Sequence, residues 1–318
     1  MSKLWTSHPE RSNAFWLWII RTIALRQGRL PARLLLYPIT LFFLIVARAQ
    51  RKASRVYLSR VLQRRASLWD VARHIYTFAA TLLDRVYLFS GQHDRLDLRV
   101  QNRDVVLDYL NAGKPAIILG SHLGSYEVLR AMGRFRIQLP LKILMAKDHN
   151  KTITGMLNAL NPGFSEMVIE LGNSASTLQV HDSLKAGYFI GMLGDRPSDK
   201  EKVTRCRFLG KVATFPAGPI LLAHACKVPM ILFFGLYRGG NRYDVFVEKF
   251  AERIELTRER REQEVQEWMQ RYADILEKYV RLEPFNWFNF YDFWNEYSGT
   301  PQQDTAPQDT APPDTDAP

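Results

Sequence analysis

The stretch from Ala116 to Leu129 constrains this chain most. Ala116-Ile117-Ile118-Leu119 is a short apolar run behind the turn Gly113-Lys114-Pro115, the pattern of a strand buried on both faces. Gly120 and Gly124 bracket the loop Ser121-His122-Leu123, and Tyr126 to Met132 resumes with helical composition. His122 therefore sits where a strand ends, and Glu127 in the first turn of the helix that follows. In open α/β sheets, ligands bind outside the carboxyl ends of the strands. A histidine whose other ring nitrogen meets a carboxylate is oriented, made more basic, and able to take a proton from a hydroxyl at neutral pH. Spacing alone decides little, because seven His and 32 Asp plus Glu in 318 residues supply roughly one such pair by chance. The competing reading is a loop histidine beside a glutamate favoured by the helix dipole.

Context comes from the rest of the chain. Leu141 to Ala146, Met167 to Glu170, Tyr188 to Leu193 and Met230 to Leu236 read as strands. Tyr243 to Val247 reads as the antiparallel neighbour of the last. Leu68 to Phe89, Asp104 to Leu110 and Ser174 to Leu184 read as helices, as does a segment from Phe215-Pro216-Ala217-Gly218-Pro219 to Ala225. Thr257 reads as the N-cap of a long helix to Val280. Strands alternating with helices predict an α/β fold with a mixed, mostly parallel sheet flanked by helices. The aromatic-rich run Glu283 to Trp294 is either tucked against the body or a lipid-facing lip. The tail from residue 298 repeats Asp-Thr-Ala-Pro-like units and is expected to be disordered.

Charge separates the N-terminus from this body. Residues 1–65 hold 13 Lys/Arg and one acid, Glu10, whereas the remaining 253 carry a net charge of −1. Nucleic-acid binding would place its basic patch on the folded domain, so no nucleic-acid partner is expected. Leu34 to Ala47 is an uncharged run of 14 residues, short of the roughly 20 that cross a bilayer. Snorkelling Arg33 and Arg48 would extend it to a thin span. An interfacial or re-entrant element anchored by Trp16 and Trp18 fits better, and a buried core helix is the bland alternative. Each cation near an anionic leaflet contributes about 1 kcal/mol. Three segments are therefore expected: 1–55 as a membrane anchor, 56–297 as the α/β domain and 298–318 as the tail. Cys206 and Cys226 are the chain's two cysteines. They read as free thiols, and no spacing suggests a metal site.

A second strand end carries polar groups, Gly194-Asp195-Arg196-Pro197, on the same sheet edge as Ser121-His122. Arg196 would stabilise a developing oxyanion or hold a phosphate, with Asp195 fixing its guanidinium. Taken alone, that pair reads as a structural ion pair at a turn. Asp148-His149 and His181-Asp182 read as surface pairs. The chain has no G-x-S-x-G elbow or P-loop, nor a G-x-G-x-x-G after a strand. Direct transfer by a general base is the economical mechanism.

His122-Leu123-Gly124-Ser125-Tyr126-Glu127 resembles the His-x4-Asp/Glu motif of the lysophospholipid acyltransferase superfamily. More narrowly, the chain is similar to the bacterial late (lauroyl/myristoyl) acyltransferases of lipid A. The hydrophobic segment to Ala47, Gly194-Asp195-Arg196-Pro197, Arg207-Phe208-Leu209-Gly210, Phe215 to Pro219 and Trp287-Phe288 carry the resemblance, which covers roughly residues 12–295. It implies a membrane-bound acyltransferase on the cytoplasmic face of the bacterial inner membrane, monotopic or single-span. The donor would be an acyl carrier protein or acyl-CoA, and the acceptor a hydroxyl of a lipid A-like glycolipid. No cofactor is implied, the membrane partner is anionic lipid, and a monomer is expected. Carried over, His122 is the base, Glu127 its orienting carboxylate, and Arg196 an oxyanion stabiliser helped by loop amides such as that of Gly124. Ser125, Lys147, Gly194, Asp195, Phe208, Gly210, Phe215, Pro216 and Gly218 are the implied substrate-binding positions. Two departures stand out. Phe215 to Pro219 lacks the Glu-Gly-(Thr/Ser)-Arg of glycerol-phosphate acyltransferases, and Leu209 replaces the second Phe of Phe-Phe-Gly. Relatives in this branch acylate other acceptors, including glycolipids and polyene-anchoring lipids. A lipid acceptor of the glycerophospholipid or ornithine type and a non-enzymatic membrane adaptor are the alternatives.

Overall fold

The computed structural model describes residues 22–129, 139–146, 162–171, 174–198 and 201–294. Its order is α1 (Arg29–Leu34), α2 (Leu36–Val46), α3 (Arg48–Val61), α4 (Leu68–Phe89), β1 (Asp97–Gln101), α5 (Asp104–Asn111), β2 (Ile117–Gly120) and β3 (Leu141–Ala146). There follow β4 (Val168–Leu171), α6 (Ser174–Lys185), β5 (Phe189–Leu193), β6 (Val203–Phe208), β7 (Lys211–Pro216), α7 (Gly218–Cys226), β8 (Met230–Tyr237), β9 (Arg242–Ala251) and α8 (Arg261–Leu282).

Seven strands form one sheet in the order β1-β9-β8-β2-β5-β3-β4. The five from β8 to β4 run parallel, β9 is antiparallel to β8, and β1 is parallel to β9. Side chains alternate across the pleat. Ile117, Leu119, Ile190, Met192, Leu232 and Phe234 face one way, into a core with α3, α7 and α8. Ile118, Phe189, Ile231 and Phe233 face the other, into a core with α4 and α5. Burial on both faces explains why the central strands read as unbroken apolar runs.

Helix α4 begins at Leu68 because Ser67 and Asp70 form a reciprocal capping box, which Arg64 reinforces from 2.8 Å. Other elements differ from expectation. The described turn after the His122 loop, Tyr126 to Leu129, is 3₁₀ helix. Phe215 and Pro216 end β7, and the helix starts at Gly218. β6 and β7 form a hairpin closed by Leu209 and Gly210, both at positive φ, as a tight two-residue turn requires. Thr257 is not the N-cap of α8, which starts at Arg261. Its backbone N–H and hydroxyl instead bind the two oxygens of Glu264, at 2.6 and 2.9 Å, tying the preceding turn to the helix.

Both apolar ends resolve one way each. Among the described residues, Arg29–Val46 is the one helical stretch long and apolar enough to cross a bilayer, and 17% of it is buried. Leu30, Leu34, Tyr37, Leu41, Phe42 and Ile45 are each more than half exposed, so the stretch is not a core helix. Arg33 does not snorkel: it bonds the Tyr237 hydroxyl and the Gly240 carbonyl, while Arg29 pairs with the fully buried Asp84 at 2.7 Å. These cations pin α1 to the body, and residue 55, the expected segment boundary, falls inside α3. At the other end, Phe285 to Phe288, Asn289, Tyr291, Phe293 and Trp294 are buried, so this run is tucked in and is no lip. Trp16, Trp18, Lys147, Asp148-His149 and the tail lie outside the described residues.

Candidate active site

The register of two neighbouring strands builds the site. β2 and β5 pair in parallel with Ile117 beside Ile190 and Gly120 beside Leu193. The same offset, carried two residues past the strand ends, sets His122 beside Asp195. Asp195 is fully buried and the His122 side chain 30% exposed. Asp195 Oδ1 lies 2.9 Å from His122 Nδ1, and both its oxygens accept the His122 backbone N–H at 3.1 Å. An ionised carboxylate only accepts, so Nδ1 carries the proton and Nε2 is left with the lone pair of a base.

The C-terminal aromatic run holds this pair from the other side. The Trp287 indole donates to Asp195 Oδ2 at 3.0 Å, and the Phe288 N–H donates to the His122 carbonyl at 3.0 Å. The Asn286 carbonyl accepts from the Gly124 N–H at 2.8 Å, and the Asn286 side chain bonds both backbone groups of Tyr237 on β8. Gly124 has φ +68°, and a Cβ there would collide with the Gly235 carbonyl. Behind Trp287, its carbonyl accepts from His74 Nε2 at 2.9 Å, and Ser54 bonds His74 Nδ1 at 2.8 Å. A carbonyl cannot donate, so His74 is the neutral Nε2–H tautomer. Its burial pushes its pKa down to about 3.

Arg196 donates to the Phe288 carbonyl at 2.6 Å, lies 4.0 Å from Asp195 and covers the face of Tyr291. Burial, followed by the Arg196 charge, holds the His122 pKa below 6.5 against the pull of Asp195. The imidazole is therefore neutral at pH 7, the form that accepts a proton. Burial would raise the Asp195 pKa, but His122, Arg196 and the indole together hold it below the ordinary range, so it stays ionised.

The bacterial lipid A biosynthesis acyltransferase model matches residues 7–296, most of the chain. The chain belongs to that family. It is an acyltransferase, which removes the reading as a non-enzymatic adaptor. No curated protein matches the chain. Among solved structures, the crystal structure of the 1-acyl-sn-glycerophosphate (LPA) acyltransferase PlsC from Thermotoga maritima is similar. The likeness covers 77% of this chain and 96% of that one, at 15% identity and a TM-score of 0.35.

In this lipid A-type acyltransferase, Glu127 is not the carboxylate on the His122 Nδ1. Its Oε1 pairs with Arg85 of α4 at 3.0 Å, and its Oε2 accepts the Ser125 hydroxyl at 3.0 Å. Tyr126 turns inward beneath Gly120 and Gly191 to donate to the Ile118 carbonyl at 2.9 Å, which sends its neighbour Glu127 toward α4. The Gly124 amide is likewise committed to Asn286 and does not serve as an oxyanion donor. Of the other expected positions, Gly194 packs on Leu119 at the strand end. Phe208 and Phe215 are fully buried against each other and against Phe293. Gly210 tips the hairpin, Pro216 ends it, and Gly218 starts α7 with Glu201 against it. These last residues frame the site without touching His122 through any hydrogen bond described above.

Trp287 entered the sequence reading only as part of the resemblance, with no place in the site, and Asn286, Arg85 and His74 had no role in it. The signal for Trp287 and Asn286 was the pair of polar-capable residues inside an otherwise greasy run, since a buried indole N–H needs an acceptor. Cys206 is buried with its thiol pushed up to about 12, an inert form. Among the described residues no group of three or more His, Cys, Asp or Glu could hold a metal ion.

Proposed function

We propose that this acyltransferase moves a fatty acyl group from a thioester, on acyl carrier protein or coenzyme A, to a hydroxyl of a lipid A-like or other glycolipid. His122 Nε2 takes the hydroxyl proton as the oxygen attacks the thioester carbon. The carbon–sulfur bond then breaks, and the thiolate leaves with that proton. Asp195 holds the tautomer and stabilises the imidazolium. Arg196 supplies positive charge to the developing oxyanion. Glu127 acts one step removed, holding the loop through Ser125 and neutralising Arg85, whose charge otherwise depresses the His122 pKa. Residues 1–55 anchor the enzyme at the cytoplasmic face of the inner membrane, α2 supplying the lipid-facing surface.

The observation that carries this reading is a partly exposed imidazole at a strand end whose Nδ1 is fixed by a fully buried aspartate. The His122→Ala variant is expected to lose at least about a hundredfold of transfer rate, the range of general-base catalysis, while unfolding at an unchanged temperature. Turnover within a few-fold of the parent in a purified acyl-transfer assay would remove His122 from the reaction. Lipid mass spectrometry of cells with and without the gene would identify the acceptor. A glycerophospholipid or ornithine-type product would replace the glycolipid.

A further inference from the structure

Immediately after the lipid-facing α2, the outer face of α3 forms a groove of about 670 Å³. Its cations are Arg48, Arg51, Lys52, Arg55, Arg60 and Arg65, with Val56 and Ser59 between them and no acidic residue in the lining. Arg51 and Arg60 have fixed duties: Arg51 bonds the carbonyls of Leu44 and Ile45 at the end of α2, and Arg60 lies over the Trp294 ring. Arg48, Lys52, Arg55 and Arg65 have no ion-pair partner among the described residues. Like charges three and four positions apart on a helix repel one another, so an unpaired stripe of this kind opposes its own helix unless an anion sits in it.

We infer that this groove binds the phosphate headgroups of anionic lipid at the bilayer surface, a site separate from the catalytic pair. Three observations favour a lipid over an acidic protein. The stripe begins two residues after Val46, where the lipid-facing helix ends. An exposed valine, Val56, lies inside the groove, as an interface between headgroups and acyl chains allows. Leu68 and Trp69, just past the groove's Arg65, are 51% and 81% exposed, the amphipathic signature of a headgroup layer. The opposite face of α3 bears Ser54 and Tyr57, which touch His74 and Trp287 behind Asp195. A lipid held here would thus seat the catalytic frame one helix diameter, roughly 10 Å, from the membrane surface. This inference rests on the proposed membrane placement and not on the acyl-transfer chemistry.

The test is co-sedimentation of the full chain carrying Arg48→Gln, Lys52→Gln and Arg55→Gln with two kinds of vesicle. One is an equal mixture of phosphatidylglycerol and phosphatidylcholine, the other phosphatidylcholine alone. A cation near an anionic leaflet changes partitioning about fivefold, so the triple variant should lose about a hundredfold on the mixed vesicles and little on the neutral ones. The variant Arg48→Lys, Arg55→Lys should bind like the parent, which separates loss of charge from loss of fold. Turnover on detergent-presented substrate should persist in the triple variant, while His122→Ala should keep its vesicle affinity. Unchanged affinity of the triple variant for anionic vesicles would overturn the inference. So would a KM that rises for an acyl-carrier-protein donor and not for acyl-CoA, with vesicle binding intact, since the groove would then belong to an acidic protein.

Discussion

Two carboxylates flank the same loop, and they are held in opposite ways. Asp195 comes from the end of β5, is fully buried and places both oxygens on His122, with the Trp287 indole as a third donor. Glu127 comes from the loop itself, five residues after the histidine, and spends its oxygens on Ser125 and on Arg85. A carboxylate close in sequence can be directed away by a single inward-turned neighbour. One that is 73 residues distant is placed by strand register, which the whole sheet enforces. Proximity along the chain and proximity to the His122 ring are different quantities here.

The strongest way to break the comparison is Asp195→Asn. The amide keeps the shape but loses the ionised acceptor that fixes the Nδ1–H tautomer, and kcat is expected to fall by about 10³ to 10⁴. Asp195 also raises the His122 pKa, so the residual activity should keep its acid limb at lower pH than the parent. If kcat of this variant stays within tenfold, the aspartate is not the orienting group.

Trp287→Phe is gentler. It keeps the aromatic packing against Tyr57, Phe208 and Phe293 but removes one donor from a buried carboxylate. A hydrogen bond to a charged group is worth about 1.5–3 kcal/mol, which sets a loss of about ten- to a hundredfold in kcat if the indole serves the ionised Asp195. The pH–rate profile separates positioning from packing. Loss of the indole raises the Asp195 pKa, because that bond lowers it, whereas a purely structural role moves stability alone.

How much of this was legible follows from which contacts are local. The buried strands of β2, β5 and β8 announce themselves because burial on both faces demands unbroken apolar runs. The capping box at the start of α4 spans four residues, Ser67 to Asp70, and is local in sequence. β1 is five residues with two apolar positions, Leu98 and Val100, too short for alternation to rise above noise. The β6–β7 hairpin was hidden by the charged residues Arg205, Arg207 and Lys211, which face outward once the strands pair. The sheet edge common to His122 and Asp195 was readable. Which carboxylate reaches Nδ1 was not, because it depends on the β2–β5 register and on the inward turn of Tyr126. The apolar content of the aromatic run 285–294 did not decide its destination, since it suits a lipid face and a core equally. Its two asparagines, Asn286 and Asn289, both fully or nearly fully buried, were the residues arguing for a core.

The smallest expected effect discriminates most sharply. If Glu127 works through Arg85, then Glu127→Gln leaves the guanidinium unneutralised and the His122 pKa, already below 6.5, falls further. On the proposed mechanism activity requires the neutral imidazole and is lost as pH drops through that pKa, so the acid limb of kcat/KM is expected to move to lower pH. A less basic imidazole is also a weaker acceptor, and the plateau should drop about tenfold or less. Arg85→Gln has the opposite sign: one depressing charge is gone, the pKa rises, and the limb moves to higher pH. Combining the two removes both charges, so the limb should return close to the parent's and part of the plateau loss should be recovered. Were Glu127 instead the group that orients the ring, the double variant would be as impaired as Glu127→Gln alone. The interaction energy in that double-mutant cycle therefore measures the route by which the glutamate acts.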